Sequence, residues 1–224
     1  MQIAKISEIF KSTQGEGLYL GVEQLFVRFF GCNIKCGFCD TRQRDFKEYS
    51  AVSLKGEVSR SRDIHSLCLT GGEPLVQSDF LKEFLPAART IGPKIYLETN
   101  GTLPYELSGV IDLIDIVAMD IKLPSATGQK AFWAEHEEFL SIAKKKSVFI
   151  KMVITGSTQQ EDIVSVTGLI KKIEPDIYVV LQPNWFDVDS ALLNKMVGFK
   201  KYFLEAGVRN VKIMPQAHKY AGIR

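Results

Sequence analysis

Short apolar runs recur along the chain at 24–30, 66–70, 94–98, 115–120, 147–154, 176–182 and 210–214. After the first they start about 30 residues apart, the length of one strand plus a crossover helix. Between them apolar residues fall at helical spacing: Phe80, Phe84 and Leu85; Phe139, Ile142 and Ala143; Ile163, Val166, Ile170 and Ile173; Leu192, Leu193, Met196 and Phe203. This alternation predicts an α/β fold with a mostly parallel sheet, open or curled into a partial (β/α) barrel. With 224 residues, 46% of them hydrophobic, and no Gly-, Pro- or Ser-rich linker, one domain over 1–224 is expected. Residues 42–63 are charged and irregular, and a loop with a short helix is expected there.

Charge narrows the partners. Twenty-eight Lys and Arg against 26 Asp and Glu leave a net +2, too little for a broad phosphate-binding surface, which argues against nucleic acid. The first residues lack the apolar core of a signal peptide, and no run approaches the roughly 18 apolar residues of a membrane span. A cytoplasmic protein is expected. Three of the 4 cysteines fall within eight residues, which in a reducing compartment points to metal rather than to disulfides.

The loops after the strands share a character: Gly31 and Cys32, Gly71–Gly72–Glu73–Pro74, Thr99–Asn100–Gly101, Ile121–Lys122, Pro183, and Pro215–Gln216–Ala217–His218. Gly and Pro end strands anyway. In parallel α/β architectures, however, such loops converge on one rim at the carboxyl ends of the strands, where active sites gather.

Cys32, Cys36 and Cys39 stand in C-x3-C-x2-C spacing on a loop whose Gly31, Asn33 and Gly37 permit tight turns. Structural zinc wants four closed ligands, whereas three thiolates leave a cuboidal iron-sulfur cluster one iron free for an outside ligand. Spacing favours the cluster and leaves zinc open. Cys68, inside Leu67–Cys68–Leu69, reads as a small buried hydrophobe.

The triplet followed by Gly71–Gly72–Glu73–Pro74 resembles the radical S-adenosylmethionine (SAM) superfamily. That resemblance implies a 4Fe-4S cluster on Cys32, Cys36 and Cys39, whose free iron chelates SAM and whose electron yields a 5'-deoxyadenosyl radical. By position it sets Phe38 on the adenine, Cys39 and Asp40 beside the cofactor, Gly72 and Glu73 at the methionine amino group, and Asp120 and Lys122 along SAM. Further runs narrow the resemblance: Ser12–Thr13–Gln14–Gly15–Glu16–Gly17, Phe26 to Cys32, Cys39–Asp40–Thr41, Met119 to Ser125, and Pro215–Gln216–Ala217–His218–Lys219. Together they resemble the 7-carboxy-7-deazaguanine synthase family, in which an aromatic residue, often Trp, commonly lies a few positions beyond the Cys-Asp-Thr run. Here that run continues Arg42–Gln43–Arg44–Asp45–Phe46. The resemblance implies conversion of 6-carboxy-5,6,7,8-tetrahydropterin to 7-carboxy-7-deazaguanine with loss of ammonia, towards queuosine. It also implies Mg²⁺, a homodimer and an electron donor such as flavodoxin or ferredoxin.

Each candidate also has its own chemistry. Arg28, mid-strand among apolar residues, needs an anion, either a substrate carboxylate or a structural acid. Gln14 and Glu16, between glycines, suit the amide and amino edge of a pterin, or belong to a flexible surface loop; Ser12, Thr13 and Gly15 go with them. Thr41 offers a hard oxygen to Mg²⁺, or caps a turn. By family position Thr70 would touch the substrate; Gln182, Gln216 and His218, at the last two strand ends, would close its pocket, or His218 is an ordinary surface residue. Glu98, Asp120 and Lys122 must be paired or meet a ligand, and a Lys122–Glu98 ion pair would account for two of them. A glycyl-radical activase shares the cysteine spacing but needs an open groove for a partner's peptide loop, whereas Gln14, Glu16 and Arg28 suit a small anionic heterocycle. A non-catalytic iron-sulfur or zinc module is the remaining alternative.

Overall fold

The computed structural model describes residues 2–41 and 44–223. In chain order the elements are β1 Ile3–Thr13, β2 Glu23–Phe29, β3 Lys47–Ser50, α1 Ala51–Val58, β4 Ser66–Gly71, α2 Ser78–Arg89 and β5 Lys94–Thr99. There follow α3 Pro104–Ser108, β6 Ile116–Asp120, α4 Pro124–Thr127, α5 Trp133–Ala143, β7 Ser147–Ile154, α6 Gln160–Ile173, β8 Tyr178–Pro183, α7 Ser190–Glu205, β9 Asn210–Ile213 and α8 Ala217–Ala221. The strands form one sheet in the order β3-β1-β2-β4-β5-β6-β7-β8-β9, parallel from β2 to β9, with β1 antiparallel to both its neighbours.

The seven strands legible as apolar runs are all present, and two more precede and flank them. In β1 polar residues interleave with buried Ala4 and Ile6, and its pairing with β2 slips between Ile6 and Glu8, so no apolar run marks it. Within 42–63 the structure has not only a short helix, α1, but an edge strand, β3, whose Lys-Glu-Tyr-Ser sequence buries nothing fully. Arg42 and Gln43 lie outside the described residues.

Alternation along each strand divides the sheet into two faces. Outward, Val27, Leu69, Leu97, Val117, Ile150, Val179 and Leu181 pack under Leu81, Phe84, Leu140, Val166, Ile170 and Met196 of the helices. This is the main core. Inward, a smaller apolar group of Phe26, Cys68, Tyr96, Ile116, Ala118, Phe149 and Val180 is covered by Phe10, Leu18, Tyr19 and Met214. Leu193, expected on the packed stripe of α7, is instead exposed. Two residues beyond that inner apolar group each strand turns polar: Arg28, Thr70, Glu98, Asp120, Lys151 and Gln182. Among the described residues no helix is long and apolar enough to cross a membrane.

Candidate active site

Above the inner apolar group lies an open cavity of about 940 Å³, of the size that takes small-molecule ligands. Its wall includes the three cysteines of the triplet, the polar inward ends of the strands, the 13–16 loop and the C-terminal residues Gln216, His218 and Lys219. Nearly every residue expected at the site lines it; Ser12 and Glu73 do not.

The cysteine loop leaves β2 and is held from two sides. Gly37 N donates to Thr127 O (3.1 Å) and Cys39 N to Cys36 O (3.2 Å), while Gln129 Nε2 donates to Lys35 O (2.7 Å). On the other flank Gly72 N reaches Phe29 O at 3.0 Å and Glu73 N reaches Gly31 O at 2.9 Å. A Cβ on Gly72 would stand 1.8 Å from Gly31 O, so the approach of these two loops requires glycine there. The two motifs occur together because their backbones touch. Cys68 is fully buried in the inner apolar group, away from the cavity wall.

The thiols fit a cluster. Cys32 and Cys39 are exposed and Cys36 half-buried along one wall. Among the described residues no three His, Cys, Asp or Glu side chains meet closely enough for a single ion. A cuboidal cluster gives each thiolate its own iron and does not need them to. Burial pushes the Cys36 thiol up to about 11, a proton that metal ligation displaces. Asn100 Nδ2 lies 3.8 Å from Cys32 Sγ and donates to Asn33 Oδ1 at 2.8 Å, which places a polar donor beside the first ligand.

Glu73 works inside the wall. Its carboxylate is fully buried and accepts from Leu75 N (3.1 Å), Thr99 Oγ1 (2.9 Å) and Asn100 N (2.7 Å). Burial raises its pKa to about 7 against the pull of those donors. Expected at the methionine amino group, it instead ties the Gly-Gly loop to the Thr99–Asn100 loop, while Gly71 and Gly72 face the cavity.

Charged groups form a chain across the floor. Lys122 Nζ pairs with Asp120 Oδ2 at 2.9 Å, not with Glu98, and lies 5.7 Å from the centre of the Phe38 ring. Lys151 Nζ stands 3.4 Å from Asp120 Oδ2 and 2.7 Å from Glu16 Oε2. Gln216 Nε2 donates to Glu16 Oε1 at 2.7 Å, and His218 Nδ1 is 3.9 Å from the same oxygen. Burial would raise the Glu16 pKa, but Lys151 and the Gln216 amide hold it down to about 2. Burial also opposes the Lys151 charge, yet Glu16, Asp120 and Glu98 carry its pKa well above the ordinary lysine value.

Gln14 is buried and committed: its amide nitrogen donates to Gln24 Oε1 and Glu98 Oε1, both at 2.9 Å, and its oxygen accepts from Glu16 N at 3.0 Å. Thr70 Oγ1 donates to Glu98 Oε2 at 2.6 Å. Hence Gln14 and Thr70 orient Glu98, and the 13–16 loop is tied down. Arg28 is a quarter exposed, with Nε 3.0 Å from Glu8 Oε2 on β1; the structural acid is its partner here, while the side chain still lines the cavity. Gln182 is buried, and its Oε1, like Asp120 Oδ1, is enclosed with no partner among the described residues. Thr41 and Asp40 flank the last cysteine on the wall, Asp40 paired with Lys219 Nζ at 2.8 Å. Ser12 pairs across β1–β2 with Gln24.

Lys151, Asn100 and Lys219 join the site without a role assigned from sequence, although Asn100 and Lys219 lie in the strand-end runs quoted above. For Lys151 the signal was present: a charge in the middle of an apolar strand, as at Arg28.

A family model for the radical SAM superfamily matches residues 26–164. Over 98% of its length the chain is 34% identical to the 7-carboxy-7-deazaguanine synthase of Geobacter sulfurreducens, covering 97% of that protein. It is 35% identical to the enzyme of the same name from Thermoplasma acidophilum, with 96% of this chain and 95% of the other aligned. In fold it is similar to the crystal structure of QueE from Escherichia coli, with a TM-score of 0.67 at 21% identity over 96% of this chain and 95% of that one.

Proposed function

The chain belongs to the 7-carboxy-7-deazaguanine synthase family of the radical SAM superfamily, and from that premise we infer how its cavity divides between cofactor and substrate. The enzyme converts 6-carboxy-5,6,7,8-tetrahydropterin to 7-carboxy-7-deazaguanine with loss of ammonia, in queuosine biosynthesis, and uses a 4Fe-4S cluster and SAM. Together those two groups supply the one-electron chemistry that removes a hydrogen atom from the substrate.

In our reading Cys32, Cys36 and Cys39 hold the cluster, and SAM lies along Phe38, Cys39, Asp40, Gly72, Asp120 and Lys122. The pterin fills the other half, with Glu16 accepting from its N–H edge and Gln182, Gln216 and His218 closing round the ring. Arg28 meets its carboxylate, and Thr41 offers Mg²⁺ a hydroxyl oxygen beside it. One observation carries this division: a three-cysteine loop and a ring of inward polar strand ends share a single cavity. A homodimer reduced by a flavodoxin or ferredoxin completes the proposal. It is tested by anaerobic assay with reductant, SAM, Mg²⁺ and 6-carboxytetrahydropterin, read by mass spectrometry. Product lighter than substrate by one ammonia is expected; SAM cleavage without such a product would overturn the substrate assignment.

A further inference from the structure

One buried charge on the cavity floor has a place but no role in that division. Lys151 projects inward from mid-β7, in register with Asp120 on β6, and its side chain is 17% exposed. Its ammonium joins two carboxylates from separate parts of the chain: Glu16 of the loop after β1 at 2.7 Å and Asp120 at 3.4 Å. The second Glu16 oxygen is taken by the Gln216 amide at 2.7 Å, so the carboxylate is gripped from both ends and cannot swing. The loop's own bonds hold its backbone, Glu16 N to Gln14 Oε1 at 3.0 Å and Ala217 N to Gly15 O at 2.9 Å, and leave the carboxylate to be oriented by its side-chain partners. Asp120 is shared with Lys122, which links Lys151 to the cysteine loop through the Phe38 ring.

We propose that Lys151 is a positioning residue of the substrate pocket: its ion pair fixes Glu16 in the orientation that receives the N–H edge of the pterin. This rests on reading the pocket around Glu16 as the pterin site. A neutral side chain at 151 would leave Glu16 buried without its main counter-charge, and a carboxyl so placed takes up a proton. The other groups facing it are the Gln216 amide and His218, with Asp120 and Glu98 as the acids around Lys151. Substrate affinity, taken relative to the parent enzyme, would then fall as pH falls.

The test uses the anaerobically reconstituted holoenzyme and its Lys151→Met, Lys151→Arg and Glu16→Gln variants, measuring iron content, SAM binding and the KM for 6-carboxytetrahydropterin from pH 6 to 9. Lys151→Met is expected to retain its iron and SAM binding and to raise KM about tenfold or more. That KM should climb as pH falls, by up to about tenfold per pH unit. The comparison is repeated in a His218→Gln background, which leaves Glu16 as the group that answers the change at 151. Arginine should restore most of the affinity, and Lys151→Met should add little in a Glu16→Gln background. A pH-independent KM ratio, or full additivity with Glu16→Gln, would overturn the proposal. So would loss of iron in both Lys151→Met and Lys151→Arg, which would mark a structural charge. If Lys151→Met yields no folded protein, Lys151→Arg is compared in the two backgrounds, and an equal effect on KM in both is the overturning result. Failure of the parent enzyme to turn over the pterin at all would instead sink the substrate assignment.

Discussion

Polar residues at this site earn their places by pairing, and truncations should reveal which pairs serve the fold and which the ligand. Cys32→Ala, Cys36→Ala or Cys39→Ala should each abolish the site-bound cluster, seen as loss of its visible absorbance and iron. Cys68→Ala should keep the cluster, because its side chain is fully buried in the inner apolar group. Glu16 carries a stability signature. Its folded-state pKa of about 2 lies below the ordinary 4.5, so its contribution is complete above pH 4.5 and is lost as pH falls towards 2. That difference corresponds to about 3 kcal/mol as an upper bound, so urea unfolding at pH 7 should show Glu16→Gln less stable by up to this amount, with a flatter acid limb. Arg28 is anchored by Glu8 and remains on the cavity wall, so Arg28→Ala should raise the substrate KM about tenfold or more, with iron retained. Lysine should rescue it only in part, since it lacks the planar fork.

At the scale of elements the informative piece is the short C-terminal helix α8. Ala217 N donates to Gly15 O at 2.9 Å, Gln216 and His218 address Glu16, Lys219 pairs with Asp40, and the Tyr220 ring meets Trp185 edge-on at 4.7 Å. A Cβ on Gly15 would stand 2.4 Å from His218 Cβ, so the helix and the 13–16 loop fit only with glycine between them. One helix thus clasps the 13–16 loop, the cysteine loop and the loop after β8. Lys219→Ala removes an ion pair about one-third exposed, worth at most about 1 kcal/mol to the fold. Melting temperature should therefore hardly change. Gly15→Ala, by contrast, should displace His218 and Glu16 and weaken pterin binding severely, which isothermal titration with an unreactive pterin would detect.

The whole molecule is a sheet with a helix-covered face and a concave face half filled with apolar side chains and half left open. The filled half makes the open half a pocket with a floor. Phe149, fully enclosed there, also packs against Tyr19 and sits where a Cβ on Gly17 would come within 2.8 Å. Phe149→Ala should cost about 3–5 kcal/mol in chemical unfolding through the void it leaves. Because Gly17 follows the 13–16 loop, proposed above to receive the pterin, the same variant should also lose pterin affinity, whereas a comparable void in the outer core, at Leu140, should cost stability alone.

Local patterns carried much of this. Short apolar runs about 30 residues apart determined the seven strands from β2 to β9 other than β3, their parallel direction and the rim on which their loops meet, because burial on both faces leaves a signature in every strand. The cysteine spacing and the Gly-Gly run carried the resemblance that implied the cofactor, since each is a short-range backbone requirement. Only the tertiary structure decided the rest. β1 and β3 escaped notice because each is antiparallel at the margin of the sheet and buries little, and with β1 hidden the partner of Arg28, Glu8, was hidden too. Which acid meets Lys122, that Glu73 turns inward, that Gln14 is spent on Glu98, and that Lys151 bridges Glu16 and Asp120 are all contacts between distant segments. Charge and burial at one position tell a side chain that it needs a partner; which partner it finds depends on the curl of the sheet that brings one to it.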